Sequence, residues 1–271
     1  GQNYTVAALQ RNFWKQSNIS FIYVDKQSIG INGVADSIKF FNKELWKTKI
    51  EGTDTSRVLN NFNRVLGADI DIRSVDNKWY TSFYYGQSFD SFSKGKNQSG
   101  IAFLQYTVRH FNIAAGESFI QENYNNEAGF VPSKGVYPGI WGTFVFANGI
   151  FYPKESKVAT MGPQLNLNFN TIPGGTVTDK AVSLGYTVNF LNTSSFVFSY
   201  GYTFQRMTQK FNPIDDGKYI TFKEGEEYDW NNYLITYQSD QRKLFKYSVG
   251  SSLGGFYNGT NSNINGEINY R

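Results

Sequence analysis

General-base chemistry near neutral pH rests most often on histidine, and this chain of 271 residues has one, His110. It falls between two aromatic-rich runs in what reads as a tight link. A catalytic histidine needs a facing partner and a cleft, so His110 reads as a turn or interface residue. The sequence holds no Gly-x-Ser-x-Gly elbow, no His-Glu-x-x-His helix and no phosphate-binding loop. Cysteine is absent, which removes disulfide scaffolds, thiolate metal sites and cysteine nucleophiles together. Carboxylates do pair, as Asp69 with Asp71 and as Glu224, Glu226 and Glu227 with Asp229. The first two are same-side neighbours on one strand, and spacing along a strand does not make the sugar-sized cleft of a glycosidase. Pro213 to Lys218, with Asp215 and Asp216, is a turn-forming stretch whose oxygens do not follow an EF-hand spacing, and a solvated acidic loop is the expectation. Tyr124, Phe130, Tyr137 and Trp141 flank one long loop and could stack on sugar rings, hold a neighbouring protein or pack on themselves. No catalytic residue, metal site or cofactor is expected.

The elements that position these groups are amphipathic strands. Phe196, Phe198, Tyr200, Tyr202 and Phe204 alternate with Ser195, Val197, Ser199, Gly201, Thr203 and Gln205. In the run before it, Leu184, Tyr186, Val188 and Phe190 alternate with Ser183, Gly185, Thr187 and Asn189, and only Asn192 to Ser195 intervene. A soluble sheet would show a mainly aliphatic face to its core. An aromatic face opposite a Gly/Ser/Thr/Asn face is the pattern a transmembrane barrel shows to lipid and lumen. Tyr186, Phe190, Phe196, Phe198, Tyr200, Tyr202 and Phe204 are therefore expected to face lipid. Charges follow the other parity: Asp69, Asp71 and Arg73 oppose Leu66, Ala68, Ile70 and Ile72, Lys246 opposes Phe245 and Tyr247, and Glu267 opposes Ile264 and Ile268. A charge facing lipid at mid-depth costs about 2 to 4 kcal/mol, so these charges, with Asn189, are expected to line a lumen. Trp79, Trp141, Trp230, Tyr84, Tyr85, Tyr137 and Tyr228 fall near strand ends, where interface girdles sit.

Composition agrees: 24 Phe and 19 Tyr against 6 Pro is a strand-forming balance, and the mean hydropathy of −0.45 leaves no room for membrane helices. The net charge of +4 is scattered and carries no nucleic-acid footprint. Strands are expected over 3–12, 17–26, 36–47, 62–73, 77–86, 99–109, 111–120, 138–147, 157–170, 181–191, 195–206, 228–238, 244–254 and 262–271, roughly twelve to fourteen in all. Tight links near 73–77, 110, 192–195 and 239–243 alternate with wide ones at 86–99, 121–137, 171–180, 206–227 and 255–261. Tight turns on one side and wide loops on the other is the outer-membrane arrangement, with Gly1 and Arg271 both expected at the tight, periplasmic side. The start lacks a basic leader and the end places Arg271 where barrels usually carry a terminal aromatic, so the chain is expected to be part of a longer protein.

Several ordered stretches carry a family resemblance: Leu9 to Arg11 with Lys15 to Ile19 and Asp25 to Ser28; Asn63 to Asp69 with Asp76 to Trp79; Glu122 to Pro132; and Tyr237 to Phe245 with Gly254 to Gly259. Together they resemble an uncharacterised Bacteroidetes outer-membrane family whose members carry an N-terminal module similar to family 9 carbohydrate-binding domains, followed by a large barrel. The resemblance covers nearly the whole chain, which matches only barrel sequence. The section between Gln27 and Lys47 is shorter than the family pattern. What the resemblance implies is location, architecture and a glycan link through the module; it transfers no activity to a residue.

The sequence thus points to an all-β, transmembrane, antiparallel up-and-down barrel of outer-membrane type, one domain over 1–271. Its expected role is a membrane anchor or conduit in cell-envelope or glycan-related traffic, without catalysis, in the bacterial outer membrane. The expected partners are outer-membrane lipids, other outer-membrane proteins and a glycan held by the missing module, with no nucleic acid. Two alternatives stay open: a structural subunit of a larger secretion, insertion or uptake assembly, and a soluble carbohydrate-binding β-sandwich.

Overall fold

Alternation of aromatic or β-branched residues with small polar ones leaves the backbone no reason to coil, and in the computed structural model it forms strands throughout. The structure describes residues 1–29, 62–90, 95–129, 139–210, 212 and 221–271. Thirteen strands follow one another: β1 Gln2–Phe13, β2 Ser17–Ser28, β3 Phe62–Arg73, β4 Trp79–Asp90, β5 Gln98–Val108, β6 Phe111–Ile120, β7 Ile140–Gly149, β8 Val158–Thr171, β9 Val177–Phe190, β10 Ser195–Arg206, β11 Glu227–Gln238, β12 Phe245–Phe256 and β13 Gly259–Tyr270. They form one antiparallel up-and-down sheet in chain order, with no helix among the described residues, and the sheet does not close. A two-sheet sandwich is therefore not the architecture. The expected strand at 36–47 lies outside the described residues.

Two compact units divide the chain. The first comprises Gly1–Leu104, Gly116–Gly142 and Thr171–Thr176, the second Gln105–Ala115, Thr143–Asn170 and Val177–Arg271. In the first, β2 pairs β3 with Ser20 opposite Asp69 and Asn18 opposite Asp71, and β3 pairs β4 with Ala68 opposite Tyr85. In the second, β10 pairs β9 with Phe198 opposite Tyr186 and β11 with Phe198 opposite Ile235. In both units the register keeps period-two faces aligned from strand to strand.

Three connections differ from the sequence expectation. β9 begins at Val177, so its link to β8 is only 172–176. β12 and β13 are joined by Tyr257 and Asn258 alone, with Tyr257 at a φ of 53°, where a wide loop over 255–261 was expected. The glycines there suggested a loop, but Gly255 is a strand position whose missing side chain admits Trp230: a Cβ would lie 2.6 Å from that of Trp230. Gly1 also sits at the wide-link end, exchanging backbone hydrogen bonds with Ile29, because β2 pairs β3 directly. Arg271 is at the tight-link end, its N–H donating to the Leu244 carbonyl.

Burial is inverted relative to an ordinary domain. Among the described residues the largest fully buried side chains are Asn63, Asn125, Thr178, Ser17 and Ser88. Exposed positions include Leu184, Tyr233, Ile235, Phe245, Val249 and Leu253, each more than two-fifths accessible.

Candidate functional site

Each unit has one polar face, built from alternate residues of consecutive strands. In the first unit Asp69, Asp71 and Arg73 come together on such a face. Ser20 donates to the Asp69 carboxylate at 3.0 Å, Tyr80 donates its hydroxyl to Asp71 at 2.7 Å and the Asn18 amide approaches Asp71 at 3.4 Å. The Arg73 guanidinium lies over the Tyr80 ring, 4.2 Å from its centroid. Both carboxylates are thus held by hydroxyl and amide donors.

Toward the wide-link end of the same face, residues 121–129 fold down onto β2–β5. Asn125 is the hub. Its backbone N–H donates to the Ser88 hydroxyl at 2.9 Å, its carbonyl accepts from the Asn63 amide at 3.0 Å, and its own amide donates to Asp90 at 3.3 Å and Glu127 at 3.2 Å. Glu127 accepts from Lys26 Nζ at 2.5 Å, and its N–H donates to Asn63. Asn63 and Ser88 are strand positions, so sequence alternation aims them correctly. Their service as anchors for a distant loop carries no local signal. Tyr124, a candidate for stacking on sugar or protein or for packing within its own loop, is buried here with its hydroxyl 3.5 Å from that of Tyr84. Trp141 does not join it: its exposed ring stacks on Phe119, centroids 4.8 Å apart, on the opposite face. Phe130 and Tyr137 lie outside the described residues, as do Pro213 to Lys218.

In the second unit the polar face is longer and its composition is distinctive. β8 contributes Gln164, Asn166, Asn168 and Asn170, with Leu165, Leu167 and Phe169 on the reverse side. The Asn189 amide donates to the Thr160 hydroxyl at 3.0 Å and Gln164 packs against Gly185, which ties the neighbouring strands β8 and β9 together on this face. Ser183 meets Ser199 at 3.2 Å. Through β11 and β12 the face continues to Lys246, opposite Asn269, and to Glu267, opposite Ser248, with Asn261, Asn263 and Asn265 alongside on β13. Tyr186, Phe190, Phe196, Phe198, Tyr200, Tyr202 and Phe204 all lie on the other face.

Several charges on the aromatic face lie at wide-link strand ends beside a partner: Arg64 pairs with Asp25 at 2.9 Å, Arg206 with Glu227, and Lys180 lies over the Phe204 ring; Asp229 shares that face opposite Phe204, and Arg11 lies on it at the tight-link end of β1. Glu117, on β6 between Ala115 and Phe119, shares that face. Tyr228 and Trp230 were expected at an outer girdle. The register instead sets Trp230 opposite Thr203 and Tyr228 opposite Gln205, on the polar side, where they cluster with Phe222, Phe256 and Tyr257. A strand-end aromatic is ambiguous by position alone; parity decides its side.

His110 is exposed at the β5–β6 link, with Nδ1 3.3 Å from the Ile150 carbonyl and its ring edge-on to Tyr152. No carboxylate or nucleophile faces it in these contacts. In the links, Asp240 is held down to about 2 by the Arg242 guanidinium and backbone N–H and by Thr193, while burial pushes the Tyr257 phenol up. Among the described residues no group of three His, Cys, Asp or Glu is placed to hold a metal ion. Comparison of the chain with protein-family models, with curated proteins and with solved structures finds no match.

Proposed function

We propose that this chain is an outer-membrane β-barrel segment acting as a membrane anchor or conduit in cell-envelope or glycan-related traffic, with no catalytic role. The observation that carries the reading is the inverted burial: fully buried Asn, Ser and Thr, and a broad aromatic and aliphatic face left exposed. Soluble monomers rarely expose contiguous apolar patches beyond a few hundred Å², whereas lipid makes such a face favourable. The native absence of cysteine makes the test direct. Single cysteines placed along 183–190 and 195–205, in membranes and probed with a charged thiol reagent, should label at odd positions and resist at even ones. Uniform labelling at both parities would sink the membrane reading.

Within it, the docked segment 121–129 favours an anchor in the first unit, because the polar face is covered there. In the second unit the link residue Phe222 packs on the polar face at its wide-link end, against Tyr228 and Tyr257, and a solute passage would follow the rest of that face. The assembly-subunit reading is favoured by a separate observation. β1 and β13 are the outer strands of the sheet, and neither contains proline. β13 is exposed along its whole length, with Ile264, Ile268 and Tyr270 alternating with Asn and Glu as in an interior strand. Edges meant to stay free are usually blunted; these are not. Native mass spectrometry after gentle detergent extraction separates the cases: partner proteins in the particle support the assembly subunit, and a single chain supports the anchor or conduit.

A further inference from the structure

We infer that the polar face of the second unit is a binding surface for uncharged, hydroxyl-rich solutes of the oligosaccharide type; this deepens the conduit reading and rests on it. The face is rich in amides and poor in charge. From β8 to β13 its fixed charges are Asp179, Lys246 and Glu267, and Asp179 is already approached by the Asn170 amide at 3.5 Å. A surface selecting ions would concentrate one sign. An amide instead presents a carbonyl acceptor and two N–H donors side by side, which matches a hydroxyl, itself both donor and acceptor.

The amides are also available. Asn166 and Asn168 on β8, and Asn261, Asn263 and Asn269 on β13, are exposed, and their side chains make no hydrogen bond to the described residues. Between these rows the amide surface continues: the spaces over Gly185 and Gly201 are taken by the side chains of Gln164 and Asn232, beside Ser183 and Ser199. At the wide-link end of the same face the half-buried Trp230 and Tyr228 pack with Phe222, Phe256 and Tyr257, an aromatic cluster whose outer edge can meet the C–H side of a sugar ring.

The test uses the full chain in detergent micelles, titrated calorimetrically with maltoheptaose and with the heptamer of galacturonate, a chain of equal length bearing a carboxylate on each ring. Maltoheptaose should bind, and the charged heptamer should bind at least tenfold more weakly at physiological salt. Asn166→Ala with Asn168→Ala should weaken maltoheptaose binding about thirtyfold, taking each lost hydrogen bond at about 1 kcal/mol. Leu167→Ala on the reverse face should leave it unchanged. Absence of maltoheptaose binding, equal or tighter binding of the charged heptamer, or equal losses in the Asn and Leu variants would each overturn the assignment. Cysteine labelling of the same preparation after reconstitution reports the membrane reading separately, so failure of one is not mistaken for failure of the other.

Discussion

Replacing Phe198 by lysine asks whether the aromatic face meets lipid. β10 has 12 residues, Phe198 is its fourth, and at about 3.4 Å per residue with a tilt near 40° it would lie roughly 6 Å from mid-depth. A lysine there should cost about 2 kcal/mol, between the mid-depth and interface values for barrel proteins. If the face were in water, only packing against Tyr186 and Ile235 would be lost, about 0.5 to 1 kcal/mol. The control is the next residue. Ser199→Lys sits on the polar face beside Gly185 and gives up a 3.2 Å hydroxyl contact with Ser183, a neutral interaction of about 0.5 to 1 kcal/mol. Equilibrium unfolding in urea from lipid vesicles measures both. The expected result is a loss for Phe198→Lys about twice that for Ser199→Lys or more, together with poor membrane assembly in cells. Equal losses, or a larger one at Ser199, would refute the assignment of faces.

Asn125→Ala removes two charge-directed hydrogen bonds, to Asp90 and Glu127, and should loosen residues 121–129 by about 2 kcal/mol, read as roughly thirtyfold faster amide hydrogen exchange confined to that segment. Exchange that stays unchanged there would show that the segment is held by something else. Gly162→Ala should destabilise the β7–β8 region by several kcal/mol or block folding, because a Cβ at Gly162 collides with the Gly149 carbonyl, a backbone atom that cannot swing away; thermal unfolding of this variant against Gly174→Ala, where the surroundings are open but φ is +95°, separates collision from conformational strain. Asp240 titrates at about 2 in the folded chain against an ordinary 3.8, so its support of the β11–β12 link is complete above about pH 4 and disappears as pH falls through 2. Carbon-13 NMR of the Asp240 carboxyl should give that low midpoint, and Arg242→Ala should move it back toward 3.8; a midpoint already near 3.8 in the unsubstituted chain contradicts the ion pair.

The strands were legible because each advertises itself with period two, and the β3, β6 and β10 boundaries fall within a residue or two of the pattern. What the pattern could not supply was pairing across distance. Asn63, Ser88 and Asn125 are unremarkable in sequence, and only the fold brings a residue after β6 onto β3 and β4. For the loop aromatic Tyr124 the sequence left stacking on sugar, holding a protein and self-packing all open, and the polar anchors that draw its segment inward favour the last. Glycine did mislead. At 254–259 it signals either a loop or a strand with a large neighbour, and Trp230 settles the matter from a strand some twenty-five residues earlier. Trp230 and Tyr228 themselves show the limit of strand-end rules, since a girdle is defined by side as well as by height.

The polar network under 121–129 and the amide face of the second unit ask different things of their surroundings. In the first unit nearly every buried polar group has a named partner within the chain: Lys26 has Glu127, Asp90 has Asn125, and Asn63 serves as donor and acceptor to the same loop. A satisfied network is rigid and is costly to open, because each separated group must recover its hydrogen bonds from water. In the second unit Asn166 and Asn168 of β8 and Asn261, Asn263 and Asn269 of β13 face outward with their amides unspent among the described residues. Water fills that capacity at little cost and a hydroxylated solute can replace the water bond for bond, which is the condition for weak, reversible binding along a surface. If one chain both anchors and passes solute, the closed face would belong to the first task and the open amide face to the second. Asn125→Ala should then leave maltoheptaose affinity at the amide face unchanged while raising exchange in 121–129, and a loss of affinity in that variant would show that the two faces are coupled.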